Sequence, residues 1–344
     1  MAAVTPTQLG DLGSHQISVV IPVYQGERHL PAVVEELAGL VDGFVTPDGH
    51  HAQVSEVLLV HDVGPDDSPR VMRELAQRYP FVRTLWLSRN FGQHAATLAG
   101  MSSSGGDWVV TIDEDGQQDP DDFGVLLDTA LAEQASVVYG RPTNQPPHGF
   151  ARNGASRGAK WMIAHLAGAR EVTLYNSYRL VLGEIARSVA AYAGSGVYLD
   201  VALGWVAGPV ATAPVTLRDE GERRSGYRLR TLVSHFWRMV LTSGTRGLRV
   251  VSLLGAAFAL VGVLFAAAVV IGRLFGNHVE PGWSSIITVV LISSGAILFS
   301  LGTLAEYLGV AVNMAMGRPT YLLTSDPAEG PLGRRAPRTP VDDA

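Results

Sequence analysis

Two long runs without a single charged residue constrain this chain more than any other feature. Residues 250–271 and 283–305 contain no Asp, Glu, Lys or Arg, and are 22 and 23 residues long. At about 1.5 Å rise per residue, each makes a helix of roughly 33 Å, enough for a hydrocarbon core of about 30 Å. Two buried core helices would share that composition, but uncharged runs of this length are rare in soluble folds. The sequence therefore predicts two transmembrane helices. The connection 272–282 holds Arg273, Asn277 and Pro281, so the spans form a hairpin. Arg246 and Arg249 precede it, and Arg318, Arg334, Arg335 and Arg338 follow. The positive-inside rule then puts both termini and the bulk of the chain on the cytoplasmic face of the cell (inner) membrane.

Charged residues make up 17%, the formal charge is −6 and cysteine is absent. The lack of cysteine excludes a disulfide framework, a thiolate nucleophile and Cys-ligated metal sites. The acidic balance argues against nucleic acid as a partner. Residues 1–16 show no positively charged start followed by an apolar stretch and are expected to be disordered.

Between residues 17 and 132, strands and helices alternate. The run ISVVIPV at 17–23 suits a buried parallel strand. Strands follow at 57–60, 82–87 and 107–112, with helical spacing at 27–40, 68–79, 93–101 and 122–132. This order predicts an α/β domain with a parallel, doubly wound sheet over 15–140, whose ligands bind at the carboxyl ends of the strands. The domain is expected to span 17–226. Residues 227–245 carry Leu229, Leu232, Val233, Phe236, Trp237, Val240 and Leu241 among Arg228, Arg230, His235 and Arg238. That pattern suits an amphipathic juxtamembrane helix, or one packed on a core. The two spans fall within 246–310, and the Pro-rich, charged tail 311–344 is expected to be largely disordered.

The strongest chemical signal is TIDEDGQQDP at 111–120. Asp113 and Asp115 follow a hydrophobic strand directly, and hard carboxylate oxygens in that position suit Mg²⁺ or Mn²⁺ with room left for substrate phosphates. Asp119 and Pro120 read as N-cap and first residue of the next helix, with Asp121 and Asp122 in its first turn. No G-x-G-x-x-G follows the first strand and no P-loop signature occurs, which argues against a dehydrogenase and a P-loop NTPase. Asp62 closes the second strand and could accept from a nucleotide base, though a turn residue would look the same. Arg218, Arg223, Arg224, Ser225, Tyr227 and Arg228 cluster ahead of the first span. They either meet anionic headgroups or grip the phosphate of a lipid substrate.

Taken together, these segments resemble the polyprenyl-phosphate glycosyltransferases of family 2, GT-A type. That group holds the dolichyl-phosphate mannose synthases and bacterial undecaprenyl-phosphate sugar transferases. The resemblance runs from residue 17 to 323 and rests on SVVIPVY at 18–24, VHDVGPD at 60–66, SRNFGQH at 88–94 and DEDGQQDP at 113–120. NSYR at 176–179, RRSGY at 223–227 and GRPTY at 317–321 complete it. It implies a GT-A, Rossmann-like, mainly parallel sheet carrying the cytoplasmic catalytic domain. Pro22, Tyr24, Glu27, Asp62, Asp113 and Gln118 would meet the nucleotide sugar, and Asp113 and Asp115 the metal. Arg179, Arg223, Arg224, Ser225 and Tyr227 would meet the phosphate of a polyprenyl phosphate.

The implied reaction is a single inverting displacement by the lipid phosphate on a nucleotide sugar, with a UDP-sugar favoured. Asp200 is a candidate for orienting the acceptor, or else a structural surface acid. Two departures stand out: His61-Asp62-Val63-Gly64 replaces the usual Asp-Asp-Gly-Ser, and Gly116 replaces Leu. A processive polysaccharide synthase would need Gln-x-x-Arg-Trp, whereas Phe236-Trp237-Arg238 reverses that order. A non-catalytic scaffold is the other rival, motivated by His61. Related enzymes can assemble through their membrane hairpins, so a homo-oligomer is a further expectation.

Overall fold

The computed structural model describes residues 13–144, 175–194, 197–218, 282–331 and 333, with scattered positions between 251 and 271. The chain divides into two compact units. One takes Met1–Gly149, Leu174–Gly226 and Pro319–Ala344; the other takes Phe150–Thr173 and Tyr227–Arg318.

The first unit is built on β1 (His15–Val23), whose apolar residues from Ile17 to Ile21 are fully buried on both faces. A strand buried on both sides has no polar face to alternate, which is why it reads as an unbroken Val/Ile run. The chain continues through α1 (Leu30–Ala38), β2 (Phe44–Val45), β3 (His51–His61), α2 (Ser68–Arg78), β4 (Val82–Leu87), α3 (Gln93–Ser103) and β5 (Trp108–Thr111). A short 3₁₀ turn (Pro120–Asp122) leads into α4 (Phe123–Glu133) and β6 (Val137–Pro142). Then come β7 (Arg179–Leu182), α5 (Gly183–Tyr192), α6 (Leu199–Val206) and β8 (Val210–Val215).

The strand order is β8-β6-β7-β5-β1-β3-β4, with β2 paired to β3 and a last strand, β9 (Leu323–Thr324), beside β4. β1, β3, β4 and β5 run parallel, as expected. β7 is inserted antiparallel between β5 and β6, so the sheet is mixed rather than wholly parallel. Two buried layers cover its faces. Ile17, Val19 and Ile21 pack with α1, α2 and α4, while Val20, Leu58 and Val60 pack with α3, α5 and α6. Together they align the carboxyl ends of β1, β3 and β5 at Val23, His61 and Thr111.

Two expectations for the ends of the domain are revised. The tail from 311 was expected to be largely disordered, but residues 319–331 return to the first unit and β9 pairs antiparallel with β4. An edge strand offers unpaired N–H and C=O groups, and β9 satisfies part of that edge. In the second unit, α7 (Trp283–Ala315) runs ten residues past the expected end of its span. Its part Ile292–Ala315 is long and apolar enough to cross a membrane. Val251, Gly255, Leu260, Leu264 and Ile271 are helical positions of the other apolar run. The rest of that run, the stretch 227–245 and residues 1–12 lie outside the described residues.

Candidate active site

The site forms where the loops after β1, β3 and β5 meet. Asp113 is its most heavily engaged carboxylate. One oxygen accepts from Gln93 Nε2 at 2.6 Å; the other accepts from Ser177 Oγ at 2.5 Å and Gln118 Nε2 at 3.1 Å. Gln118, 6% exposed, also accepts from the Asp113 backbone N–H at 2.6 Å and donates to Ser177 Oγ at 3.0 Å. A carboxylate with three donors has one orientation. Burial pushes the Asp113 carboxyl up, and the Asp115 charge adds to that. Ser177, Arg179 and Gln118 pull it back by favouring the charged form.

Asp115 accepts from the backbone N–H of Gln117 at 3.1 Å. Glu114, between the two, turns the other way. Its carboxylate takes the N–H groups of Tyr24 at 2.8 Å and Gln25 at 2.9 Å, clamping the loop after β1. A Cβ at Gly26 would stand 2.9 Å from Glu114 Oε2, so a side chain there would press on this clamp. The alternation in Asp-Glu-Asp thus splits one acidic turn into two jobs, which sequence reading missed for Glu114. Tyr24 is exposed and Pro22 half-buried at the end of β1. Glu27 holds the neighbouring loop instead, donating its N–H to Asp66 and accepting from Asp67 N.

Asp62 is 3% exposed, and its two oxygens accept from the backbone N–H of Phe91 at 2.7 Å and Gly92 at 2.8 Å. Both are therefore engaged in shaping the loop that leads into α3. Burial pushes this carboxyl up and the two amides pull it down. The next residue, Val63, adopts φ 51°, a left-handed conformation that a β-branched side chain rarely takes. Glycine would take this conformation without strain. A Cβ on Gly64 would overlap the Tyr24 carbonyl at 1.5 Å, so that position needs glycine.

Arg179 and Asp200, expected near the acceptor, pair with each other. Arg179 is 3% exposed and Asp200 2%, which rules out the surface-acid reading of Asp200. The Arg179 guanidinium meets Asp200 Oδ1 and also donates through Nε to Thr111 Oγ1 at 3.1 Å, while Tyr139 OH donates to Asp200 at 2.9 Å. Arg179 therefore lies behind Asp113 as a buried positive charge. Arg218, the described member of the juxtamembrane arginine run, bridges Glu36 at 2.7 Å and Asp119 at 2.8 Å. Its N–H donates to Gln117 O at 2.8 Å, which ties it to the loop bearing Asp115. Asp119 caps the 3₁₀ turn as expected, accepting from Asp121 N. Arg223, Arg224, Ser225 and Tyr227 lie outside the described residues.

Among the described residues, no group of three or more His, Cys, Asp or Glu could hold a metal. The donor set fits Mg²⁺ or Mn²⁺ nonetheless, because such ions in phosphate-transfer sites take one or two carboxylates and fill the remainder with substrate oxygens and water.

The chain is similar to known proteins. Residues 18–182 match Glycosyl transferase family 2, a stretch that includes Asp62, Asp113, Asp115 and Arg179. Among curated relatives, the undecaprenyl-phosphate 4-deoxy-4-formamido-L-arabinose transferase of Sodalis glossinidius is 29% identical over 92% of this chain and 95% of its own length. Its counterpart in Edwardsiella ictaluri is 27% identical over 89% and 93%. A Bacillus subtilis glycosyltransferase is 28% identical over 90% and 93%. Among solved structures, glucosyl-3-phosphoglycerate synthase from Mycobacterium tuberculosis, with Mn²⁺ and UDP-glucose, aligns at a TM-score of 0.48 and 18% identity. That alignment covers 67% of this chain and 79% of that one. The chain is a glycosyltransferase, and its residues 18–182 are those that match family 2.

Proposed function

We propose that this enzyme transfers one sugar from a nucleoside diphosphate sugar, with UDP as the favoured carrier, to the phosphate of a polyprenyl phosphate. The observation that carries the reading is the pair Asp113 and Asp115 at the carboxyl end of β5, with Asp113 held in one orientation by Gln93, Ser177 and Gln118. The curated relatives supply the acceptor class, since several are named as undecaprenyl-phosphate transferases. The apolar helix of the second unit suits an enzyme whose acceptor stays in a bilayer. The hairpin of two spans, the interfacial helix and the cytoplasmic placement of both termini belong to the same proposal.

Asp113 and Asp115 would hold Mg²⁺ or Mn²⁺, whose charge stabilises the departing diphosphate. Pro22, Tyr24 and Asp62 stand at the strand ends where the nucleotide would lie. The acceptor phosphate is already ionised near neutral pH, so the site needs no strong general base. Orientation and charge stabilisation supply the rate. Arg223, Arg224, Ser225 and Tyr227 are proposed to grip that phosphate, with inversion at the anomeric carbon following from a single displacement. Asp200 is assigned no contact with the acceptor and instead fixes Arg179 behind Asp113.

The test is a donor panel. Protein in detergent, undecaprenyl phosphate and Mg²⁺ or Mn²⁺ are mixed with UDP- and GDP-sugars, and both free nucleotide and glycolipid are measured. One UDP-sugar is expected to yield nucleotide and glycolipid in equal amounts, with the sugar inverted. Nucleotide release without glycolipid would reject the acceptor, and turnover with GDP-sugars alone would reject the carrier.

A further inference from the structure

The motif at 317–321 plays no part in the site just described, yet its side chains are specifically placed. Thr320 Oγ1 donates to the carbonyl of Ala193, after α5, at 2.8 Å. Tyr321 OH donates to Ser102 Oγ on α3 at 2.8 Å. The next carbonyl, Leu322 O, accepts from Ser88 N at 3.0 Å, and β9 then pairs Leu323 with Leu87 and Thr324 with Trp86. Asp326 closes the segment. It takes Arg73 on α2 through two bonds of 2.6 and 2.7 Å, while Ala328 N donates to it at 2.8 Å. The Arg73 guanidinium lies over the Trp86 ring, 4.9 Å from its centre.

Covering the β4 edge accounts for Leu323 and Thr324 but not for the grip on α3. Ser88 opens and Ser102 nearly closes one continuous stretch, 88–103. The middle of that stretch meets the site: Phe91 N and Gly92 N donate to Asp62, and Gln93 donates to Asp113. The return segment thus holds both ends of the piece of chain whose centre orients the two acids. Tyr321 and Phe91 also pack against the same buried layer.

We infer that Thr320, Tyr321 and Asp326 are positioning residues for the donor site: docking of the return segment sets the 88–93 stretch and, through it, the carboxylates of Asp62 and Asp113. The nucleotide part of this inference rests on the function proposed above. Undocking weakens donor binding and leaves the acceptor untouched.

The test uses the full chain in detergent with Arg73→Asp, Asp326→Arg and their combination, which restores the pair with reversed charges. Amide exchange at 88–93 is read without donor or metal, so it reports on positioning whether or not the donor reading holds. Each single variant is expected to raise exchange at Phe91 and Gly92 by about tenfold or more, and the double variant to restore protection. In turnover, the single variants should raise donor KM about fivefold and lower kcat/KM for the donor at least as much, with acceptor KM within about twofold of the parent. Tyr321→Phe, which removes one hydroxyl, guards against a failure to fold and should loosen 88–93 in the same direction. Faster exchange confined to 82–87 and 320–328, with 88–93 and donor KM unchanged, would reduce the segment to an edge cover and overturn the inference.

Discussion

Two of the Arg–Asp pairs among the described residues look alike on paper and differ in everything physical. Arg179–Asp200 joins β7 to α6, with side chains 4% and 3% exposed and Tyr139 and Thr111 completing its hydrogen bonds. Arg73–Asp326 joins α2 to the returning C-terminal segment, 253 positions apart, with side chains 31% and 11% exposed. The first lies in a medium where an unpaired charge is prohibitive, and the second at a rim where water can replace either partner. One pair therefore acts as a fixed charge behind the site, and the other as a clasp that can open. Sequence reading assigned Arg179 to a lipid phosphate and gave Arg73 and Asp326 no role, because charge is visible in a sequence and desolvation is not.

Breaking the buried pair should have the largest effect on stability. Asp200→Ala leaves Arg179 buried without a counter-charge and is expected to cost about 3–5 kcal/mol, measured by denaturant unfolding of the domain. Arg179→Met combined with Asp200→Leu should recover most of that loss, since the penalty belongs to the orphaned charge. A small loss in Asp200→Ala would show that water reaches the pair. The exposed clasp should respond more mildly. Asp326→Ala is expected to lose about 1–2 kcal/mol, the range for a bidentate charged contact that solvent partly screens.

Between them stands Ser177, whose hydroxyl steadies Asp113 from the side of β7. Ser177→Ala should weaken Mn²⁺ binding about 10–100-fold, as loss of an outer-shell partner does elsewhere, and a spin-resonance titration with nucleotide present would read it. Unchanged affinity would mean that Gln93 and Gln118 suffice.

The smallest effect sharpens the clasp side. His61 is 6% exposed, lies tilted against Trp86 with ring centres 5.4 Å apart, and its Nε2 has no hydrogen-bond partner among the described residues. Burial holds its pKa below the usual 6.5; Arg73 adds to this, while Asp66 and Asp326 oppose it. Below pH 6.5 the unfolded chain takes up a proton that the folded chain refuses, so this contribution to stability is lost as pH falls from 6.5 towards the folded value. The stability of the parent minus that of His61→Leu, measured between pH 7 and 5, should fall as pH falls and so isolate this slope. A difference that does not vary with pH would mean His61 charges freely in the folded state.

Much of the first unit was legible because its signals are local. The buried run of β1, the Asp119-Pro120 cap and the acids ending β5 are each written within ten residues. What stayed hidden depends on contacts across the chain. Glu114 reads as part of a metal motif until its bonds to Tyr24 and Gln25 are seen. Asp62 reads as a lone acid ending a strand until the amides of Phe91 and Gly92 are seen on its two oxygens. β7 escaped notice because a short strand reached over a long connection carries no pattern of its own. Polar, Pro-rich composition predicted a loose tail, whereas Leu323, Thr324 and Asp326 are held by specific pairing.

The central claim is that the carboxyl end of β5 is the catalytic centre for sugar transfer to a lipid phosphate. Its most direct test measures glycolipid formed from the donor selected by the panel and undecaprenyl phosphate, across a Mn²⁺ titration, for the parent and Asp115→Asn. The account predicts a metal-dependent product and a loss on the order of 10³-fold in the variant, the scale expected when charge stabilisation of a leaving group is removed. Transfer by Asp115→Asn within about threefold of the parent at every Mn²⁺ concentration would contradict it, because an effect that small leaves no transition-state role for this carboxylate.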